Sequence, residues 1–237
     1  QMLDWGDGHS LDLDVFQQWD IKRSGRSLLT ATLGGLSRLI HFGQKWERVV
    51  LLSDSDYPLR SMGMAEYLFW LHPDLSFVNA ELFGNPAPTM AIECAQKVHG
   101  VRMAGYDQVP GHPNMTAVSG SQFIAITREF VRWILDELED PVSGVSTILD
   151  ELSFLSSPDE TFFQTVLHNT HFCVKHVPTS FHVHHREGFT VSPDSKRYTD
   201  FPTGSPPVLK LSEHAEFVQE VRSRHTFLFG RKFDNSP

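Results

Sequence analysis

This sequence predicts an α/β layered fold, and three observations carry that prediction. Val49-Val50-Leu51-Leu52 is a continuous apolar run, as a buried strand shows. The stretches 27–41 and 128–140 carry apolar residues at helical spacing. Strand-like and helix-like segments alternate along the chain, the pattern of a sheet with helices packed on it.

The chain has 237 residues, of which 40% are hydrophobic and 21% charged, enough for a real core. We read residues 1–237 as a single domain. The net charge of −9 argues against a general nucleic-acid binder or an anionic-membrane binder. Cations therefore matter only where they cluster, as in RSRHTFLFGRK at 222–232. No run of 18 apolar residues marks a transmembrane helix. No secretory signal is evident either. Cys94 and Cys173 stand far apart and are either free thiols or one disulfide.

Residues 1–18 are acidic and loop-like. A helix over 27–41 follows, with Leu28, Leu29, Leu33, Leu36 and Ile40 on its apolar side. Ser24 or Gly25 marks its start. Gly34 and Gly35 weaken it but let a sheet approach. The strand at 49–52 ends in Asp54-Ser55-Asp56 and is closed by Pro58. A helix over 63–72 and a short strand, SFVNA at 76–80, come next. Residues 81–119, rich in Pro, Gly and His, read as a long, partly irregular insertion. FIAIT at 123–127 is a strand, and 128–140 a helix with Phe130, Trp133, Ile134 and Leu138 on one side. Helices over 145–154 and 159–168 precede a short strand, HFCVKHV at 171–177. Turn formers fill 182–211, and SEHAEFVQEVRS at 212–223 reads as a last helix before FLFGRKFD.

Ligands of open α/β sheets sit at the carboxyl ends of the strands, which singles out Asp54 and Asp56. Two such carboxylates suit Mg²⁺ or Mn²⁺ and, through it, a nucleotide diphosphate. The same residues also make an ordinary polar turn. His182 and His184 would share one face of a strand, with His185 beside them. That makes zinc conceivable, although no fourth ligand is evident and a surface cluster is the stronger reading. Arg231-Lys232 stands among Phe227, Phe229 and Phe233, which would hold the two cations in place to neutralise a diphosphate. A solvated basic patch explains the pair equally well. In SSPDETFFQTVLHNT, Ser157 fits an N-cap, Pro158 the first helical position, and Glu160 the far end of a capping box. Asp159 and Glu160 both suit the positive end of a helix.

Several stretches stand together in order: GRSLLTATLGGLSRLI, LLSDSDYPLRS, GSQFIAITREFVRWIL, SPDETFFQTVLHNT, RYTDFPTGSP and LFGRKFD. From Gly25 to Asp234 they resemble the glycosyltransferase family of the peptide O-xylosyltransferases and the core-2/I-branching N-acetylglucosaminyltransferases. Glu93-Cys94 and the Cys173 segment look more like the xylosyltransferase branch. The resemblance implies a GT-A-like α/β sheet with helices on both faces. It implies inverting transfer of a sugar, xylose favoured, from a UDP-sugar to a protein or glycan hydroxyl, without divalent metal or other cofactor. By position Glu160 matches the catalytic base, and Arg231 and Lys232 the diphosphate-binding pair. Gly25, Asp54, Asp56, Gly120, Ser121 and Gln122 become candidate pocket residues, with 54–56 a turn rather than a metal site. A Cys94–Cys173 disulfide is expected in this branch. So is a Golgi-lumenal enzyme on a membrane anchor that these residues do not contain. The alternatives are a β-1,6-N-acetylglucosaminyl branching enzyme and a non-catalytic glycan-binding member.

The family's domain opens with a strand–helix–strand region that supplies the uridine pocket, and residues 1–18 do not read so. The expectation is an N-terminally truncated domain or, alternatively, a divergent one. Gln122 stands where xylosyltransferase relatives carry an acid, and the His184–Arg186 segment lacks an expected aromatic residue. Donor and acceptor are therefore open. The chemistry explains the residue types. A carboxylate takes the proton of the attacking hydroxyl. Fixed cations offset the charge that grows on the leaving diphosphate.

Overall fold

The computed structural model describes residues 18–42, 46–54, 56–82 and 112–178, with shorter pieces at 4–5, 9–10, 15, 89–94, 97–102, 108–109, 182–184, 209–210, 219, 228–231 and 233–234. Helices form at Arg26–His41 (α1), Met62–Trp70 (α2), Arg128–Glu137 (α3), Gly144–Leu152 (α4) and Phe162–His168 (α5). α2, α3 and α4 start where a hydroxyl replaces a missing backbone acceptor. Ser61, Thr127 and Ser143 accept from the N–H groups of Met64, Phe130 and Ser146. α1 starts at Gly25 without a side-chain cap.

The architecture is mixed α/β. The central sheet runs in the order His176–Val177, Ser76–Phe77, Ala125–Thr127, Arg48–Val50. The 125–127 strand is antiparallel to both its neighbours, while 176–177 runs parallel to 76–77. α1, α3, α4 and α5 pack around Ile124 and Ile126 to form the core, with Phe130, Phe162 and Phe163 as its largest members.

The apolar run 49–52 is a shorter and more marginal strand than its composition suggests. Only 48–50 is strand, at the edge of the described sheet, and Leu52 is 51% exposed. Its composition still has a reason. Successive strand residues point to opposite faces. Val49 packs on the main core, while Val50 packs on a second cluster of Ala65, Leu228 and Phe229.

Arg48 ties this edge to the rest. Its guanidinium lies 4.6 Å from the Phe69 ring centre and 5.1 Å from that of Phe77. It donates to the carbonyls of His72 at 2.8 Å and Leu75 at 2.6 Å. Burial lowers its pKa from the ordinary value, against the opposing pull of Glu47. The end of α2 is thereby fixed to the 76–77 strand.

Other segments differ from expectation for local reasons. Residues 81–119 are more regular than their composition suggests. They contain the hairpin Thr89–Cys94/Lys97–Arg102 and the pairs 81–82 with 118–119 and 108–109 with 112–116. Residues 171–177 are not one strand but a 3-10 turn, His171–Lys175, followed by His176–Val177. The segment has one buried anchor, Phe172, 4.8 Å from Phe130 and 5.2 Å from Trp133 between ring centres, while Val174 is 83% exposed. A strand buries alternate residues, and this stretch does not. The lead-in carries a short antiparallel pair, Asp4–Trp5 with His9–Ser10. A Cβ on Gly34 would meet the Trp19 ring at 2.3 Å, so this glycine admits an indole rather than a sheet. The helix expected over 212–223 lies outside the described residues apart from Gln219. Among the described residues no helix is long and apolar enough to cross a membrane.

Candidate functional site

The register places one end of the central sheet at the centre of the site. Strands 48–50, 76–77 and 176–177 all point their carboxyl ends the same way, because 125–127 is antiparallel to two of them and the third is parallel to its neighbour. The residues leading into 125–127 emerge at that same end, as the bond from the Leu51 N–H to the Ile124 carbonyl shows. Asp54, Asp56, Asn79 and Gly120–Gln122 therefore gather at one rim, where α/β sheets place their ligands.

Glu160 reaches this rim on a turn unlike the one expected. The single helix predicted over 159–168 is instead a 3-10 turn, Pro158–Glu160, followed by α5. The capping box does not form. Ser157 is left-handed at φ 55° and makes no side-chain cap bond. Its N–H donates to the Ser24 carbonyl at 2.9 Å. Ser24 is itself left-handed at φ 59°. Such backbone costs about 1–2 kcal/mol per residue outside glycine and persists where its surroundings over-determine it. The bond joins the Glu160 turn to the head of α1, where Gly25 lies buried.

The two adjacent acids then part. Glu160 is half-exposed. Asp159 is 5% exposed, and its Oδ1 has no hydrogen-bond partner among the described residues. Burial pushes its carboxyl up to about 6, against the opposing effect of a bond from its own backbone N–H. Asp159 is thus a neutral acid in mildly acidic solution. Nothing in the sequence signals this difference in burial, since both acids fit a helix start.

The 116–121 strap is bonded to α5 almost residue by residue. The Gly120 N–H donates to the Glu160 carbonyl at 2.8 Å. Gln164 Nε2 donates to the Ser121 carbonyl at 2.8 Å. Thr165 Oγ1 accepts from the Val118 N–H and donates to its carbonyl, both at 3.0 Å. Asn169 bonds both backbone groups of Thr116, at 2.9 and 2.8 Å. A Cβ on Gly120 would lie 1.7 Å from the Asn79 carbonyl oxygen, so only glycine fits there. Ser121 is buried and Gln122 half-buried. Gln164, Thr165 and Asn169 were missed in the sequence. Their signal was a set of polar residues inside the apolar run FFQTVLHN.

The structure thus brings Gly25, Gly120, Ser121 and Glu160 together. It places the backbone of Arg231 in a second sheet, where Phe229–Arg231 pairs antiparallel with Tyr57–Pro58 and parallel with His182–His184. Arg231 stands opposite His184 and next to the 54–58 turn at the rim. Its side chain, Lys232 and His185 lie outside the described residues. Asp54 is exposed, and the Asp56 carboxylate accepts from the Ser53 N–H while its own N–H donates back at 3.2 Å. That is the geometry of a polar turn. Among the described residues no three His, Cys, Asp or Glu side chains gather as a metal would need. Of the expected Cys94–Cys173 disulfide, only Cys173 is among the described side chains. Cys173 is a free, exposed thiol in the 171–175 turn. The side chain of Cys94 is not among those described.

Comparison with known proteins agrees with this frame. Xylosyltransferase oxt of Drosophila melanogaster is 27% identical over 166 residues, 67% of this chain and 18% of that protein. Xylosyltransferase 1 of Rattus norvegicus is 25% identical over 219 residues, 89% of this chain and 25% of that protein. Xylosyltransferase 2 of Mus musculus is 27% identical over 221 residues, 90% and 24% respectively. The chain spans about a fifth to a quarter of the length of the curated relatives it matches. A sequence model of Core-2/I-branching enzymes matches residues 13–201, a span that holds Gly25, the 54–56 turn, Gly120–Gln122 and Glu160. On that match, the chain belongs to the Core-2/I-branching enzyme family.

Proposed function

We propose that the protein is an inverting glycosyltransferase that moves a sugar, xylose by preference, from a UDP-sugar to a hydroxyl of a protein or glycan. The observation that carries this reading is the Glu160 turn. It offers a half-exposed carboxylate at the ligand end of the sheet, tied by backbone bonds to Ser24 and Gly120. Family membership supplies the reaction class. The acceptor oxygen attacks the anomeric carbon as Glu160 takes its proton. The bond from that carbon to the phosphate oxygen breaks, and its electron pair leaves with UDP. Arg231 and Lys232 offset the charge on the diphosphate, so the step needs no divalent metal. Asp54 and Asp56 shape a turn at the rim, and Gln122 faces the substrates. The resemblance further suggests work in the Golgi lumen.

A second reading is transfer of N-acetylglucosamine to a glycan branch, favoured by the description of the matching family. Donor hydrolysis with UDP-xylose and with UDP-N-acetylglucosamine separates the two. Glu160→Gln tests the mechanism common to both. Turnover should fall about 10²–10⁴-fold, the usual worth of a general base, with the fold and UDP affinity retained. Full activity in that variant overturns the assignment.

A further inference from the structure

We propose that Gln164 is a positioning residue, whose amide locks the 120–122 loop to the Glu160 turn so that loop and base form one rigid wall of the cleft. The proposal rests on Glu160 as the base and deepens that reading.

Gln164 is fully buried, at 0% exposure, in a helix otherwise made mostly of apolar residues. A buried amide is costly unless its groups are bonded. Nε2 is bonded, to the Ser121 carbonyl at 2.8 Å. Oε1 is buried and has no hydrogen-bond partner among the described residues. Rotating the amide would set its oxygen against the Ser121 carbonyl, acceptor against acceptor, so the orientation is fixed by chemistry. A leucine or methionine would fill the same volume without an unpaired amide oxygen, but would take the donor away from the Ser121 carbonyl. The amide thus holds that carbonyl at the cost of a buried, unpaired Oε1, and such a group calls for a reason beyond packing.

The reason is where its one bond falls. The loop is gripped from three sides. The Glu160 carbonyl takes the Gly120 N–H, Gln164 holds the Ser121 carbonyl, and the Asn79 carbonyl closes the space over Gly120. Thr165 and Asn169 hold the strand that leads into the loop, at Val118 and Thr116. Among these side chains only Gln164 acts at the loop itself. Its Cγ also stands 3.2 Å from where a Gly120 Cβ would be. Gln122, half-buried, is the next residue of the locked loop. Small errors in the placement of reacting groups are expensive, so such a lock should appear in kcat more than in donor binding.

The test uses Gln164→Leu and Gln164→Glu in the full chain, with UDP-xylose as donor. In Gln164→Leu the Gly120 amide should exchange its hydrogen about tenfold faster, while the Val118 amide, held by Thr165, keeps its protection. kcat should fall about 10–100-fold with the KM for UDP-xylose within about twofold. Gln164→Glu is a conditional rescue. A buried carboxyl there stays protonated at acid pH and can donate to the Ser121 carbonyl, then loses that proton as pH rises. The other titratable groups on the turn and on α5 are Asp159, Glu160 and His168, so the profile is read as a ratio to the parent protein. That ratio should fall with rising pH. Unchanged Gly120 exchange and unchanged kcat in Gln164→Leu overturn the proposal, as does a flat ratio in Gln164→Glu should the leucine variant fail to fold. Full activity in Glu160→Gln sinks the base reading and this lock with it. An inactive Glu160→Gln beside a fully active Gln164→Leu sinks the lock alone.

Discussion

Helices α2 and α5 are both short, and their surfaces are opposite. In α5 every residue from Phe162 to Leu167 is buried, Gln164 and Thr165 included. In α2 only Ala65 is buried, while Met62, Met64, Tyr67 and Trp70 are exposed, Trp70 at 71%. Tyr67 and Trp70 stack with ring centres 6.2 Å apart. Burial thus follows the neighbour rather than the residue type. The strap at 116–121 needs backbone partners on its inner side, and α5 supplies them from polar side chains. α2 is held by the Ser61 cap, the Arg48 clamp and one inner face, where Ala65, Leu68 and Phe69 join the second cluster, so its outer face has no packing duty among the described residues.

Substitutions can break or sharpen this contrast. The largest effect should come from Phe163→Ala in α5. It empties a fully buried ring site and should cost about 3–5 kcal/mol in chemical denaturation. A loss below about 1 kcal/mol would mean that α5 is not the core element described here.

The next effect depends on pH. The folded Asp159 carboxyl, at about 6, lies above its ordinary value of 3.8. Between those values the folded state holds a proton that the unfolded state has released. Its stability contribution is whole below about pH 4, is lost as pH rises through about 6, and then levels off. At about 1.4 kcal/mol per pH unit the loss approaches about 3 kcal/mol. Asp159→Asn should remove this slope and stabilise the protein near pH 7 by up to that amount. Parallel stability–pH curves for parent and variant would show that Asp159 is not buried as an acid.

Thr165→Val keeps shape and removes the hydroxyl, leaving the Val118 N–H and carbonyl without that partner. A cost of about 2 kcal/mol is expected, with faster exchange of the Val118 amide. The smallest change should be Trp70→Ser on α2, within about 0.5 kcal/mol, as for exposed sites generally. A large loss there would reveal a partner for the α2 face.

The sequence by itself determined the elements with their own local signals. Helices α1 and α3 follow the spacing of apolar residues, and α2, α3 and α4 each start at a hydroxyl cap found in the structure. The order of the motifs was enough to indicate the family. Only the tertiary structure decided the Glu160 turn. A bond from Ser157 to Ser24, over a hundred residues away, displaced the local capping box, and burial set Asp159 apart from its neighbour Glu160. The lock by Gln164 was hidden for the same reason. Local propensity acts over a few residues, whereas hydrogen-bond partners and desolvation depend on what the folded chain brings alongside.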